Sequence, residues 1–171
     1  MKEIQLTQGH ITLVDDEDYE WLNQWSWRAT KDTHNWYATR AVPKSERVDG
    51  KQGSIRMHRL ITGTTDSYTE VDHQDRDTLN NQRSNLRLAT HSQNQHNRSM
   101  NRNNKSGYKG VSWYKNREMW VAQIRVNGKS ITLGYFNDPA KAGAVYDTAA
   151  LELHGKFART NNLDRPTCEV V

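Results

Sequence analysis

The sequence predicts an α+β protein in two parts: an N-terminal α/β unit ending in a strand–loop–strand–helix segment, then a three-stranded antiparallel sheet packed on one helix. Three observations carry this. Residues 108–136 hold three apolar-alternating stretches, the last two joined by Asn127-Gly128, the strongest short hairpin signal. Residues 139–153 repeat apolar side chains at helical spacing behind an Asp-Pro start. Between the parts, Ser99 to Gly107 (SMNRNNKSG) is polar, Asn-rich and basic without periodicity, which marks a linker. The expected boundaries are therefore 1–98 (a support unit 1–54 and a core 55–98), a linker 99–107, a second domain 108–162 and a tail 163–171.

Taken in order, Ile4 to Val14 reads as two strands about a Gln8-Gly9 turn. Asp15 to Trp25 reads as a short helix, its first turn acidic and its stripe made of Tyr19, Leu22 and Trp25. Trp36 to Val42 (WYATRAV) alternates again, and a loop with Asp49-Gly50 and Gly53 leads into Ser54 to Gly63 (SIRMHRLITG). By residue chemistry alone nothing in residues 1–57 looks catalytic, so this part is expected to support the segment after it. Beyond the linker, Tyr108–Tyr114, Met119–Val126 and Lys129–Phe136 are expected strands. Asp138 can cap a helix with Pro139 at its first position, and Gly155 can end it. Ala142, Val145, Tyr146, Ala149, Ala150 and Leu153 would form its packed face.

The chain of 171 residues is 34 % hydrophobic, with a mean hydropathy of −1.02, low for one large core. Six Trp and seven Tyr compensate, because aromatics bury much surface each, and point to several small aromatic-pinned units. Net charge is +4, unevenly placed. Residues 99–160 carry ten Lys/Arg against four Asp/Glu, whereas residues 1–57 carry eight against nine and residues 58–98 five against five. A polyanion partner would meet the C-terminal part. Cys168 is the single cysteine, which excludes internal disulfides and a multi-Cys zinc site. No apolar run is long enough for a membrane span and Met1 to His10 lacks a signal-peptide core, so a soluble, cytoplasmic protein is expected.

Glu70 to Arg98 is the densest polar cluster: Asp72 and His73 on an apolar-led strand, an Asn-rich loop, a second short strand, then an amide- and His-rich helical start. Carboxylate, imidazole and amide at these separations can bind one hard divalent cation and activate one water. His73 suits a general base, since imidazole titrates near neutrality. Asp72 would leave the opposite side of an ideal strand, so both serve one site only if the strand twists or ends there. Asn94 offers an amide oxygen, and one carboxylate plus one amide leaves most of an octahedral shell to water and phosphate, the usual Mg²⁺ arrangement. Asn85, at the far end of the loop, is better placed to hold the loop and His73 in position.

Five motifs stand in order here: MHRLI (Met57 to Ile61), VDH (Val71 to His73), Asn80-Asn81, NLRLAT (Asn85 to Thr90) and Gln93-Asn94. Together, over roughly residues 55–98, they resemble the HNH endonucleases, in particular the phage-encoded homing branch. The resemblance implies a ββα-metal fold around one Mg²⁺ or Mn²⁺ ion, with His73 as general base, Asp72 and Asn94 as ligands and Asn85 as the central Asn. The third family position is Asn94 here and not His; in a slipped alignment His91 or His96 would be the rival ligand. Arg87 and His58 are candidate DNA contacts, His58 having an equally good packing role.

The segments YKGVSWYKNREMWVAQIRVNGKSITLGYF and DPAKAGAVYDTAALELHGKFARTN, over residues 107–162, resemble the Apetala-type (ethylene-response-factor) DNA-binding domain of plants. That family lays its sheet in the major groove. By strand alternation Trp120, Ala122, Ile124 and Val126 would face the helix, with Ile131 and Leu133; Val121, Gln123, Arg125, Ser130 and Thr132 would face outward. The contact set is Lys109, Ser112, Tyr114, Lys115, Arg117, Gln123, Arg125 and Thr132, with Gln123 and Arg125 reading base edges and Lys109 and Lys115 touching phosphate. Trp113 is expected to pack at a sheet edge. Ser112, Ser130 and Thr132 stand where the plant domains carry Arg, Arg and Trp, so base preference does not carry over. The combined expectation is a monomeric, site-specific, metal-dependent endonuclease that nicks double-stranded DNA, phage-encoded and acting in the host cytoplasm. The alternatives are a non-catalytic DNA-binding regulator that keeps the nuclease fold, and an RNA-directed enzyme, which a major-groove sheet disfavours.

Overall fold

The structure, a computed structural model, describes residues 1–47, 52–101 and 103–161. The expected Asp49-Gly50 turn, Cys168 and the 163–171 tail lie outside the described residues. Four small sheets and a few helices make a mixed α and β protein among the described residues, in keeping with the α+β reading. The chain divides into two compact units, Met1–His91 and Ser92–Val171.

In the first unit β1 (Lys2–Gln5) pairs antiparallel with β2 (Ile11–Val14), placing Ile4 opposite Thr12. The chain reverses at Gln8-Gly9 as expected, both residues taking left-handed backbone (φ 64° and 74°), which only the glycine adopts freely. Helix α1 (Asp16–Leu22) has Asp16, Glu17 and Asp18 in its first turn, where the helix dipole favours negative charge. It stops three residues before the expected Trp25. A tight turn, Trp25 N–H to the Leu22 carbonyl at 3.2 Å, carries the chain on, and edge-on packing seats Trp25 against Trp21 and Trp27. β3 (Arg28–Asp32), β4 (Asn35–Ala41) and β5 (Ser54–Arg56) come next, in the sheet order β3-β4-β5, and Met57–Ile61 is a short helix, α2. β3 is absent from the sequence reading for a physical reason. Its sequence RATKD buries only Ala29, so no apolar alternation announces it, and it exists through its pairing with β4.

β6 (Glu70–His73) and β7 (Leu86–Ala89) form an antiparallel ribbon with Asp72 opposite Arg87 and His73 opposite Leu86. The core beneath them gathers Val14, Leu22, Trp27, Ala38, Met57, Ile61, Val71 and Leu86. Helix α3 (His91–His96) begins at the last residue of the first unit, so Asn94 and His96 belong to the second.

The second unit contains β8 (Val111–Tyr114), β9 (Met119–Val126), β10 (Lys129–Phe136) and α4 (Pro139–His154), with β9 central. Asn127 and Gly128 both have positive φ (50° and 78°), the primed hairpin turn the dipeptide signals. The Asp138 carboxylate accepts the Ala140 N–H at 2.8 Å and Pro139 opens α4, as expected. Ala142, Tyr146 and Ala150 pack inward; Val145 and Leu153, expected on that face, are exposed, since the helix covers the sheet along a narrower stripe than the spacing allows. Gly110 and Gly143 permit this close seating. A Cβ on Gly110 would lie 2.0 Å from the Tyr146 ring, and one on Gly143 2.3 Å from Tyr108. Asn161 closes the unit from within: its Oδ1 accepts the Lys109 N–H at 2.6 Å and its Nδ2 donates to Asp147 Oδ1 at 2.7 Å.

Two face assignments change. The β9–β10 register slips between Thr132 and Gly134, leaving Leu133 as the bulged residue. Ile131, expected inward, is 44 % exposed, because β10 is an edge strand; Val121, expected outward, is buried at the middle of the central strand, between Ser112 and Tyr135 in register. Trp113, expected to pack at a sheet edge, meets Trp120 edge-on (centroids 5.1 Å, 72°) on edge strand β8 but stays 51 % exposed, so only part of the ring is packed.

Candidate active site

Asp72 and His73 are consecutive on β6, so their side chains leave opposite faces of the ribbon, and both are buried (5 % and 4 % exposed). On one face Asp72 Oδ2 accepts from Arg87 Nε at 2.7 Å and Nη2 at 2.5 Å. Arg87, expected at DNA, is thus an ion-pair partner of the expected metal ligand. On the other face His73 Nε2 lies 3.3 Å from Asn81 Oδ1. The His58 ring stands at 90° to His73 with centroids 5.1 Å apart, and Tyr37 flanks both rings at 5.6 Å and 6.5 Å. Arg56 lies 4.6 Å from the Tyr37 ring centroid. His58 is therefore packed inside the first unit, the structural alternative of its two expected roles.

Burial sets the electrostatics. It pushes His58 down to about 3, helped by the positive charge of a protonated His73 and by Arg56 and Arg59. His73 is also lowered by burial, against the opposing effects of the Asn81 hydrogen bond and of the Asp75, Asp72 and Asp77 carboxylates. Two neutral imidazoles are the outcome at neutral pH.

Asn85 pins the loop between β6 and β7. Its Nδ2 donates to Asp75 Oδ1 and to the Asn80 carbonyl, each at 2.8 Å, and its Oδ1 accepts the Asp75 N–H at 3.0 Å. Asn80 Nδ2 adds a bond to Asp75 Oδ2 at 2.8 Å. The loop is tied to α1 through Arg83, which donates to both oxygens of buried Asp18 at 2.8 and 2.7 Å, and through its N–H to Asp15. Of the remaining candidates, His91 Nδ1 lies 2.6 Å from Glu70 Oε1, and His96 stacks on His154 at 3.6 Å within the second unit. Asn94 sits on α3 in the second unit. No three His, Cys, Asp or Glu side chains converge among the described residues, so a cation here would need amide, water or phosphate oxygens beside Asp72. Sequence reasoning missed Thr12 and Tyr37, which no local pattern marks, and passed over Asn81, which stands in the Asn80-Asn81 motif.

On the sheet of the second unit, the outward row holds Gln123 beside Thr132 (Nε2 to Oγ1, 3.2 Å) and Arg125 opposite Ser130, all exposed. Tyr114 lies against Tyr135 at 5.4 Å, and the Arg117 guanidinium sits 4.3 Å from the Tyr135 ring centroid. Ser112 and Lys115 are exposed on β8 and just after it. Lys109 differs from the rest: its Nζ donates to the His96 and Arg98 carbonyls at 2.6 and 2.7 Å, an internal role.

The HNH endonuclease family model matches residues 56–96, and the AP2 domain model matches residues 106–156. Protein 3.8 of Escherichia phage T7 is 39 % identical over 105 residues, 61 % of this chain and 86 % of that protein. The chain belongs to the HNH endonuclease family, with an AP2-type domain behind the HNH segment. An uncharacterized HNH endonuclease of Acanthamoeba polyphaga mimivirus is 35 % identical over 117 residues, 66 % of this chain and 60 % of that one. An ethylene-responsive transcription factor of Arabidopsis thaliana is 45 % identical over 56 residues, 32 % of this chain and 30 % of the factor. No solved structure matches the chain. The HNH match begins at Arg56 and contains His58, Asp72, His73, Asn85, Arg87 and Asn94; the AP2 match contains every sheet residue named above. No helix among the described residues is long and apolar enough to cross a membrane.

Proposed function

We propose that this HNH protein is a site-specific, metal-dependent DNA endonuclease that nicks one strand as a monomer, in the manner of phage homing enzymes. The observation that carries it is the pair Asp72–His73 at the end of β6: the strand stops at His73, the condition under which a buried carboxylate and a buried imidazole leaving opposite faces can serve one site. His73 takes the proton from an attacking water, and Asn85 keeps the loop, and through it the ring, in place. Asp72 holds one Mg²⁺ or Mn²⁺; Asn94 is proposed as the second protein ligand on the family pattern. Such an ion supplies charge stabilisation for the scissile phosphate and the departing 3′ oxygen. Products are 5′-phosphate and 3′-hydroxyl ends. Gln123, Arg125 and Thr132 on the AP2-type sheet select the site, with Ser112, Tyr114, Lys115 and Arg117 along its margin.

One observation favours a second reading, a DNA-binding regulator that retains the nuclease fold: Asp72 already carries the Arg87 guanidinium. Incubation with long duplex DNA from the gene's own flanks separates the two. Cleavage with Mg²⁺ or Mn²⁺, its abolition by chelator and a loss of about 10³-fold or more in His73→Ala are expected. Because His73 is lowered from 6.5, the acidic limb of kcat/KM is expected below that value. Binding without cleavage would establish the regulator, and cleavage unchanged in His73→Ala would remove His73 as the base.

A further inference from the structure

We infer that Thr12 and Asn81 act as a tautomer lock for His73, fixing its proton on Nε2 so that Nδ1 carries the lone pair. The relay of hydrogen bonds starts from a backbone carbonyl. The Leu79 carbonyl can only accept, and Thr12 Oγ1 lies 2.7 Å from it, so the hydroxyl proton points there. The other acceptor beside this hydroxyl among the described residues, Met57 Sδ at 3.9 Å, offers no proton either. The Thr12 oxygen therefore presents a lone pair to the Asn81 amide 2.7 Å away, and the atom facing it must be the NH₂. That leaves Asn81 Oδ1 toward His73 Nε2, and an amide oxygen can only accept, so Nε2 donates. A neutral imidazole has one N–H, so Nδ1 is left as the acceptor.

The lock is buried and anchored. Thr12 is fully buried and Asn81 is 1 % exposed, so water does not substitute for any member. Their backbones are held as well: Asn81 N–H donates to the Leu13 carbonyl at 2.8 Å and Leu13 N–H to the Leu79 carbonyl at 2.9 Å. Flipping the Asn81 amide would let its NH₂ donate to Nε2 of the other tautomer, but would set its oxygen against the Thr12 lone pair and lose the buried Asn81–Thr12 hydrogen bond without replacement. His58 and Tyr37 bound the ring on further sides with aromatic faces and edges. The function of the lock rests on the proposed nuclease reading, in which Thr12 and Asn81 are positioning residues and His73 touches the reacting water. The tautomer itself does not rest on it.

Two readouts separate these levels. In ¹⁵N-labelled full-length protein without metal or DNA, long-range ¹H–¹⁵N spectra are expected to show His73 wholly as the Nε2–H form, with that proton protected from solvent exchange. Asn81→Leu is expected to speed the exchange by about tenfold and to return the ring to the mixture of a free imidazole. Thr12→Val leaves Asn81 in place but frees its amide, and is expected to move both signals the same way. Asn81→Asp keeps an acceptor on Nε2 and is expected to restore the Nε2–H form. An Nδ1–H form in the parent protein, or unchanged occupancy and exchange in both Asn81→Leu and Thr12→Val, would overturn the lock. In the cleavage assay, kcat is expected to fall about 10- to 100-fold in Asn81→Leu with KM unchanged, and Asn81→Asp to recover part of it. If the parent protein does not cleave, the nuclease reading fails while the spectra still decide the tautomer.

Discussion

His58 sits edge-on to Tyr37 and His73, with burial pushing it to about 3 from an ordinary value of 6.5. Below 6.5 the unfolded chain takes up a proton that the folded chain refuses until about 3. The stability this residue confers is therefore complete above 6.5 and is lost as pH falls through that window. His58→Gln is expected to flatten the stability–pH curve there by up to about 1.4 kcal/mol per pH unit, read from denaturant midpoints; an unchanged slope would show that other groups govern acid unfolding. His73 was legible in the sequence because its neighbour is a carboxylate and its context is a motif. The inward role of His58 was not, since a His in MHRLI reads the same whether it meets phosphate or Tyr37. Thr12 was invisible altogether: its partners lie 67 and 69 residues away, and a threonine on an alternating strand is ordinary.

At the level of elements, the loop between β6 and β7 depends on one side chain. Asn85 donates two hydrogen bonds and accepts a third, linking Asp75 to Asn80 beside the Asn81 amide. Asn85→Ala is expected to cost about 1–3 kcal/mol in unfolding free energy and to lower kcat together with it, because the loop that seats Asn81 loosens. Loss of stability at full kcat would mean that the loop's fold and the ring's orientation are separable. Elements specified by neighbouring residues were legible: the Asn127-Gly128 hairpin by its dipeptide, α4 by its Asp-Pro start and the Gln8-Gly9 reversal by its glycine. Elements specified by distant pairing were not. β3 needs β4, and the bulge at Leu133 needs the opposite strand, so the alternation that located Gln123 and Arg125 correctly misplaced Ile131 and Val121.

Over the whole molecule, the excess of basic residues in 99–160 falls in the part that carries the AP2 match. Binding to duplex DNA is expected to weaken steeply with salt, and each phosphate contact removed to reduce the log–log slope by about 0.9. Lys115→Ala with Arg125→Ala is the informative pair. Lys109 is a poor choice, since its ammonium holds two backbone carbonyls and its loss would disturb the local chain. Undiminished affinity and slope in the pair would place target reading elsewhere than the sheet. The order of the HNH and AP2-type segments was readable from the motifs, because both matches are contiguous in sequence.

The hydrogen bond from Asn81 to Thr12 has a consequence for where the HNH unit ends. The HNH match spans residues 56–96, yet the hydroxyl that orients the Asn81 amide comes from β2 and the Tyr37 ring beside His73 from β4. A piece cut at the edges of the motif would retain Asp72, His73, Asn85 and Asn94 and lack the Thr12 hydroxyl that the Asn81 amide bonds. On the proposed nuclease reading, the smallest catalytic fragment would then be defined by a contact 69 residues long, and a transplanted motif would need an acceptor-directed hydroxyl to travel with it.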